Sequence, residues 1–266
     1  MSHTFRLPQI LDIAQSEGMV TVEDLAQRFD VTVQTIRRDL SELAAAGHLE
    51  RVHGGAVLPS GVRNIGYEER RSLNRAAKTA IARTCTAEIS DDCALFLGIG
   101  TTVEAVAREL LRHRGLVVVT NNINVANILV ANPNCRVIIA GGSLRRSDGG
   151  VVGDLTVRTI ERFKFDVAVI GCSAMDAEGD LLDFDIQEVA VNQTILGQAR
   201  RSALVADSSK FRRSAPARIS SLREVDVFYT DAPPPDPVPR LCAEWGTEVR
   251  IAQGPLPIAA QGGRGL

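Results

Sequence analysis

The residues best suited to bind a ligand lie between positions 94 and 210, each just after a short apolar run. They are glycines, small polar residues and one lysine, namely Gly100, Thr101, Thr102, Asn121, Asn122, Gly141, Gly142 and Lys210. Backbone N–H groups and hydroxyls at the start of a helix can hold a phosphate, and Lys210 adds one cation. Each feature also has a simpler reading, because such residues are common in tight turns, helix caps and solvated surfaces. Their position after successive runs favours a pocket for a small, hydroxylated anion.

Carboxylates between residues 183 and 188 form a second group. Asp183, Asp185 and Glu188 lie close together in one segment, where a carboxylate could accept the hydroxyls of a ligand or remove a proton. Acids at the start of a helix would give the same pattern without any ligand, because they stabilise its N-terminus. The sequence leaves both interpretations open, and we predict Asp183 and Glu188 as effector-binding residues.

Cofactor and metal chemistry is disfavoured. The segment 98–102 lacks the Gly-Lys-Ser/Thr ending of a P-loop, and Val103 stands where a dinucleotide fingerprint has its third glycine. The five cysteines are scattered, without a C-x-x-C pair. We therefore expect buried thiols, no cofactor, no metal and no catalytic residue.

The elements that position these groups alternate between strand-like and helical patterns. The predicted strands are Ala94–Leu97, Leu116–Val119, Val137–Ala140, Val167–Ile170, Ala203–Ala206, Val225–Tyr229 and Glu248–Ile251. Strands that alternate with helices indicate a largely parallel sheet with both faces covered. Ligands of such sheets bind beyond the carboxyl ends of the strands, which is where the small polar groups fall.

The first sixty residues carry a different pattern. Apolar positions at helical spacing predict one helix that ends at Gly18, a second capped by Thr21 with Asp24 as its capping-box partner, and a third capped by Thr32. A strand at 48–53 and a return strand at 56–58 complete a winged helix-turn-helix.

The third helix has an outward face suited to DNA. Ile36 and Leu40 face inward, and Asp39 is expected to orient an arginine. The predicted DNA-binding residues are Thr32, Gln34, Thr35, Arg37 and Arg38, with Arg51 and His53 on the wing. Glutamine can pair with adenine and arginine with guanine, and neighbouring Thr and Arg can hold phosphates. Periodicity alone also fits a small helical bundle with a solvated basic face.

Composition sets the frame but does not decide the function. Residues 1–60 hold five Arg against eight Asp and Glu, so bulk charge does not indicate nucleic acid. Apolar residues make up 45% of the 266, and no run approaches the roughly 18 residues of a membrane helix. With no signal-like segment at the start, we expect a cytoplasmic location.

Two stretches are specific enough to suggest a family. Residues 31–40, V-T-V-Q-T-I-R-R-D-L, and residues 49–56, L-E-R-V-H-G-G-A, resemble the signature of the DeoR family of bacterial regulators. In that family the helix with T-I-R-R-D-L is the recognition helix. Segments of the second half, among them 98–107, 120–127, 180–189 and 207–211, are similar to one branch of the same family.

The resemblance implies a repressor and not an enzyme, with a sensor domain similar in fold to sugar-phosphate isomerases. The expected divisions are 3–58 for DNA binding, 59–75 for a linker, 76–252 for the sensor and 253–266 for a disordered tail. The expected partners are operator DNA, a small phosphorylated effector (glycerol 3-phosphate in the branch resembled) and further copies of the chain in a homodimer or homotetramer.

Three alternatives stay open at this point. They are a regulator of another sugar-phosphate pathway, an activator, and a sugar-phosphate isomerase with an appended DNA-binding domain that uses Glu188 or Asp183 as base. One departure from the family pattern is Asn192-Gln193, which stands where relatives carry basic residues. This departure makes Lys210 the expected principal cation of the pocket.

Overall fold

A computed structural model describes residues 3–17, 19–46, 48–52, 54–57 and 66–252. Some sequence predictions therefore lie outside the described residues, namely those on His53, residues 58–65 and the tail 253–266. Among the helices of the described ranges, none is both long and apolar enough to cross a lipid bilayer.

The N-terminal part is the predicted winged helix-turn-helix. Its elements are α1 (His3–Glu17), β1 (Met19–Thr21), α2 (Val22–Phe29), α3 (Val33–Ala45), β2 (Glu50–Val52) and β3 (Gly55–Val57). The predicted caps are present, since the hydroxyls of Thr21 and Thr32 accept the amides of Asp24 and Thr35. The Asp24 carboxylate pairs with Arg28 one turn later instead of returning to the cap. The three helices pack around a core that includes Ile10, Leu25, Ile36 and Leu40, all with no exposed surface.

The wing has three strands in the order β1-β3-β2, one more than the sequence predicted. Strand β1 was not predicted, because three residues are too few to show the alternation of apolar and polar side chains that is typical of a strand. It pairs antiparallel with β3, and Thr21 lies opposite Gly55. A Cβ atom on Gly55 would lie 2.0 Å from the carbonyl oxygen of Val20, so only glycine lets the two strands approach.

The C-terminal part contains the remaining helices and strands. Its helices are α4 (Tyr67–Ser72), α5 (Arg75–Thr86), α6 (Thr101–Glu109), α7 (Ile123–Leu129), α8 (Asp154–Ile160), α9 (Ile186–Gln198) and α10 (Val238–Trp245). One-turn helices span Leu110–Arg112, Ser208–Arg212 and Leu222–Glu224. Its strands are β4 (Ala94–Leu97), β5 (Leu116–Thr120), β6 (Cys135–Ile139), β7 (Ser143–Arg145), β8 (Gly150–Val152), β9 (Phe165–Ile170), β10 (Ala174–Met175), β11 (Asp180–Asp183), β12 (Ala199–Val205), β13 (Ala217–Ser221), β14 (Val227–Thr230) and β15 (Glu248–Ile251).

The seven predicted strands form one parallel sheet in the order β15-β14-β12-β9-β4-β5-β6, which confirms the predicted class. Apolar clusters cover both faces, with α5, α6 and α7 on one side and α8, α9 and α10 on the other. Two small additions were not predicted, the hairpin β7-β8 and the antiparallel sheet β10-β11-β13. Their strands are mostly two to four residues long.

The order of strands in the large sheet creates a switch point. From β4 the chain runs outward through β5 and β6, then returns to the other side of β4 at β9 and continues outward through β12. The connections after β4 and β9 therefore leave the sheet in opposite directions and open a crevice between them. Gly98 follows β4 and Gly171 follows β9, so both lie at this crevice.

The second half of the expected linker is structured. Residues 67–72 form α4, and α5 begins at Arg75. The Tyr67 hydroxyl donates to Glu104 of α6, and Asn124 of α7 donates to the same hydroxyl over 3.0 Å. Helix α4 is thereby held against the sensor domain.

Candidate functional site

Helix α3 presents the polar face that the sequence predicted. Gln34, Arg37 and Arg38 are exposed, while Ile36 and Leu40 on the opposite face of the helix are buried. Neither Arg37 nor Arg38 forms a side-chain hydrogen bond or ion pair with any described residue, so both guanidinium groups are available. The Thr32 and Thr35 hydroxyls lie 2.9 Å apart at the start of the helix. On the wing, Arg51 is exposed on β2.

Asp39 has a partner that the sequence did not identify. Its carboxylate is fully buried and receives the guanidinium of Arg6 from α1, with Nε–Oδ2 2.5 Å and Nη2–Oδ1 3.2 Å. The arginine that Asp39 orients is therefore Arg6, not Arg37 or Arg38. This bidentate pair locks the recognition helix to α1 and leaves the outward arginines unengaged.

The predicted phosphate loop lies at the switch point. Gly100 has φ +138°, a conformation that L side chains rarely adopt, and it immediately precedes α6. No side chain caps the N-terminus of α6, so its first amides are free of a side-chain acceptor. The residues that line the cleft are Arg70, Ile99, Gly100, Thr101, Thr102, Val103, Gly171, Cys172, Ser173, Asp183, Glu188, Val205 and Lys210.

One end of this cleft is cationic. Lys210 lies beside Arg213, Arg70 and the carboxylate of Asp207, and both burial and the neighbouring Arg213 lower the pKa of Lys210. Burial lowers the pKa of Lys78 to about 8, and Lys210, Arg213 and Arg70 contribute in the same direction. Four basic groups thus lie near the Asp207 carboxylate, and two of them, Lys210 and Arg70, line the cleft. Arg70 also pairs with Asp148 over 3.2 Å. Within the described ranges, the side chains of Lys210 and Arg213 form no ion pair or hydrogen bond.

The other end of the cleft is acidic. Arg145 binds three carboxylates there, with Nη1 2.6 Å from Asp185, Nη2 2.5 Å from Glu188, and a bidentate contact to Asp148 at 2.9 and 2.8 Å. Burial and the neighbouring charge of Asp183 raise the pKa of Glu188 to about 7 despite the ion pair. Glu188 can therefore exist in either protonation state near neutral pH, and can donate or accept a hydrogen bond.

Asp183 is buried at the same end and is already bound within the protein. Its Oδ2 accepts the hydroxyl of Ser173 over 2.9 Å, and its Oδ1 accepts the amides of Phe184 and Asp185. Asp185 caps α9 through its contact with the amide of Gln187. In the acidic segment, Asp185 therefore caps a helix, while Asp183 and Glu188 line the cleft.

Four of the predicted effector residues do not line the cleft. Asn121 is buried and donates to the carbonyl of Val151, and Asn122 caps α7 through the amide of Asn124. Gly141 and Gly142 follow β6, the edge strand of the sheet, away from the switch point. The structure thus uses the two Asn side chains for internal packing and places the Gly pair outside the cleft.

Asn192 and Gln193, which stand where relatives carry basic residues, lie away from the cleft. The Gln193 side chain donates to the carbonyl of Ile219 on β13. Lys210 shares the lining of the cleft with Arg70, and its place as the principal cation stays a prediction. Arg70 and Lys78 were missed because they lie on α4 and α5, which precede the predicted sheet, and Arg145 was missed because it ends the unpredicted strand β7. For Arg213, the basic run Arg212-Arg213 after Lys210 was the one available signal.

The cleft thiol is unreactive at neutral pH, since burial raises the pKa of Cys172 to about 12. All five cysteines are free, and Cys85 and Cys242 are buried. Among the described residues, no three His, Cys, Asp or Glu side chains are grouped so that they could hold a metal ion.

Comparison with known proteins agrees with this two-part architecture. A family model for the DeoR-like helix-turn-helix domain matches residues 6–62, and one for the DeoR C terminal sensor domain matches residues 73–232. The chain is 44% identical over 235 residues to the glycerol-3-phosphate regulon repressor of Escherichia coli (strain K12), covering 88% of this chain and 93% of that protein. It is 42% identical to the glycerol-3-phosphate regulon repressor of Haemophilus influenzae, covering 86% and 90% respectively.

Among solved structures, D-ribose-5-phosphate isomerase in complex with phospho-erythronic acid matches with 18% identity and a TM-score of 0.37, over 50% of this chain and 52% of that chain. A score this low gives no basis for transferring an activity or a ligand. The family models cover both halves of the chain, and two relatives exceed 40% identity over most of its length. The chain therefore belongs to the DeoR family of transcriptional regulators.

Proposed function

We propose that this protein is a repressor that binds operator DNA through α3 and the wing, and that a small phosphorylated metabolite bound in the cleft releases it. The contacts to DNA are assigned to Thr32, Gln34, Thr35, Arg37, Arg38 and Arg51. A single helix-turn-helix reads only a few base pairs, so the active species is a homodimer or homotetramer that spans repeated half-sites. The repressor names of the two relatives support this assignment.

The opposite charges at the two ends of the cleft are the observation that supports the nature of the effector. The uncapped start of α6 and Lys210 form an end suited to a phosphate, and Arg70, which lies near Lys210 and also pairs with Asp148, lines the same cleft. Glu188 and Asp183 lie at the other end, where carboxylate oxygens can accept hydroxyls. Glycerol 3-phosphate has one phosphate and two hydroxyls on a three-carbon chain, and it appears in the names of both relatives. It is therefore the proposed effector.

Operator release gives a direct test. DNA selected by this protein from a random pool would supply the operator, and fluorescence anisotropy would follow its release during titration with glycerol 3-phosphate. Glycerol is the matched control, because it offers the same hydroxyls without the charge. Release by the phosphate alone is expected, since a ligand can shift the equilibrium only by its differential affinity for the two states. Equal effects of the two compounds would refute a phosphate-centred effector site.

One observation favours a second function. The pKa of Glu188 near 7 would suit a general base in a sugar-phosphate isomerase. Its ion pair with Arg145 and the internal hydrogen bonds of Asp183 weigh against that role, because both carboxylates are already held by the protein. Incubation with ribose 5-phosphate decides between them, and steady turnover would establish the isomerase.

A further inference from the structure

The junction between α4 and α5, residues 67–78, contributes Arg70 to the lining of the effector cleft. Arg70 lines the cleft beside Gly100, Thr101 and Lys210, although it belongs to the first helix described after the DNA-binding domain. Only residues 58–66 separate this helix from β3 of the wing. A side chain of the cleft is thus carried by the segment that leads directly to the DNA-binding domain.

The side chain of Arg70 is only partly satisfied. Its Nη2 donates to Asp148 over 3.2 Å, but its Nε is buried and has no hydrogen-bond partner among the residues that the structure describes. A buried donor without an acceptor is unfavourable, so an acceptor supplied by a ligand would be favoured. A guanidinium offers five donors in a planar fork, and can bind a phosphate while it keeps a contact to Asp148.

The backbone of the same residue connects the junction to the phosphate loop. The carbonyl oxygen of Arg70 accepts hydrogen bonds from the ammonium of Lys78 and, over 3.3 Å, from the hydroxyl of Thr101. Thr101 is the first residue of α6, whose N-terminus faces the cleft. A ligand that displaces the Thr101 hydroxyl would therefore act directly on α4.

The opposite wall of the cleft is attached to the junction through Asn74. This residue adopts a left-handed conformation, with φ +50°, at the point where α4 ends and α5 begins. Its amide nitrogen donates to Asp207 over 2.9 Å and to the hydroxyl of Ser209 over 3.3 Å, next to Lys210. The junction thus contacts both the Thr101 side and the Lys210 side.

We propose that Arg70 is a ligand of the effector's phosphate and that the α4–α5 junction transmits occupancy of the cleft to the DNA-binding domain. This inference rests on the proposed function. Without an anion, Arg70 lies near Lys78, Lys210 and Arg213, and Asp148 and Asp207 offset only part of the repulsion among these four cations. A bound phosphate neutralises this repulsion and supplies the missing acceptor, so α4 is held more tightly against the cleft when the effector is present. Because the helix is close in sequence to the wing, its docking restricts the positions that the DNA-binding domain can reach.

Glycerol 3-phosphate binding to the full chain, measured by calorimetry, tests the first half of the proposal. Arg70→Ala should lose about ten- to hundredfold in affinity, the loss expected for one charge-assisted contact. Arg70→Lys should bind with intermediate affinity, because it keeps the charge but loses the fork. Arg71→Ala is the matched control, since Arg71 lies on the same helix but is exposed, and among the described residues its one ion pair is with Glu68 over 3.7 Å. Its affinity should stay within about twofold of wild type, as expected for a surface pair.

Hydrogen exchange tests the second half. Saturating glycerol 3-phosphate should slow exchange of the α4 amides in the wild type and in Arg71→Ala, but not in Arg70→Ala saturated at a higher concentration. The Arg70→Ala protein should also keep its operator under those conditions. Equal affinity, or equal protection of α4, in Arg70→Ala and wild type would overturn the inference while leaving the proposed function intact. If the wild type itself neither binds glycerol 3-phosphate nor releases operator, both fall together.

Discussion

The Arg6–Asp39 pair gives the sharpest prediction about the DNA-binding domain. Removing one partner of a buried, bidentate ion pair costs about 3–5 kcal/mol, because the other charge is left without compensation in a dry environment. The side chains of Arg6 and Asp39 are 5% and 1% exposed, so this case applies. A unit of residues 3–58 has a total stability of about 3–8 kcal/mol, from about 0.05–0.15 kcal/mol per residue. Asp39→Ala should therefore unfold a large fraction of the domain.

The assay must separate loss of folding from loss of contact. Hydrogen exchange of the α3 amides in the full chain reports the folding of this domain, and anisotropy reports operator binding. Asp39→Ala should raise the exchange rates and abolish binding together, although Asp39 lies inside the protein. The double variant Arg6→Met with Asp39→Leu should restore slow exchange, because replacing both partners by apolar groups is often neutral or stabilising. If Asp39→Ala binds operator like the wild type, with slow α3 exchange, the pair does not hold the recognition helix.

Three further expectations concern the proposed contacts. The double variant Arg37→Ala with Arg38→Ala should abolish operator binding without faster hydrogen exchange of α3, since both side chains are exposed. If the salt dependence of binding is unchanged, these arginines contact no phosphate. Lys210→Ala should require about ten- to hundredfold more glycerol 3-phosphate for operator release, and release at wild-type concentrations would remove Lys210 from the site. The pKa of Glu188 is about 7 in the folded chain and about 4.5 in the unfolded chain. Protonation of this group therefore stabilises the folded chain at low pH, and this contribution is lost as the pH rises from 4.5 to 7. Melting of Glu188→Gln from pH 4.5 to 7 should show a flatter dependence, and an equal slope would contradict the assignment.

Local sequence patterns were sufficient for the elements and the fold class. All seven predicted strands are present, and Ala94–Leu97 and Glu248–Ile251 have the predicted bounds. The caps at Thr21 and Thr32 and the exposure of Arg37 and Arg38 follow from helical spacing within a few residues. These features depend on neighbours along the chain, which the sequence contains directly. The position of the loop at Gly100 could also be predicted from local sequence, because it lies between the predicted strand β4 and the helix α6.

The pairing of distant side chains was decided only by the tertiary structure. Arg6 and Asp39 are 33 positions apart, and Arg70 and Asp148 are 78 apart. The sequence shows that an arginine and an aspartate exist, but the order of strands and the docking of helices decide which ones meet. The same holds for Asn121 and Asn122, which follow β5 as predicted but whose side chains bind the carbonyl of Val151 and the amide of Asn124 instead of lining the cleft. The cleft between β4 and β9 is lined by residues from the connections that leave these two strands in opposite directions. The order of the strands creates this divergence, and it depends on how all of them pack against the helices on both faces of the sheet.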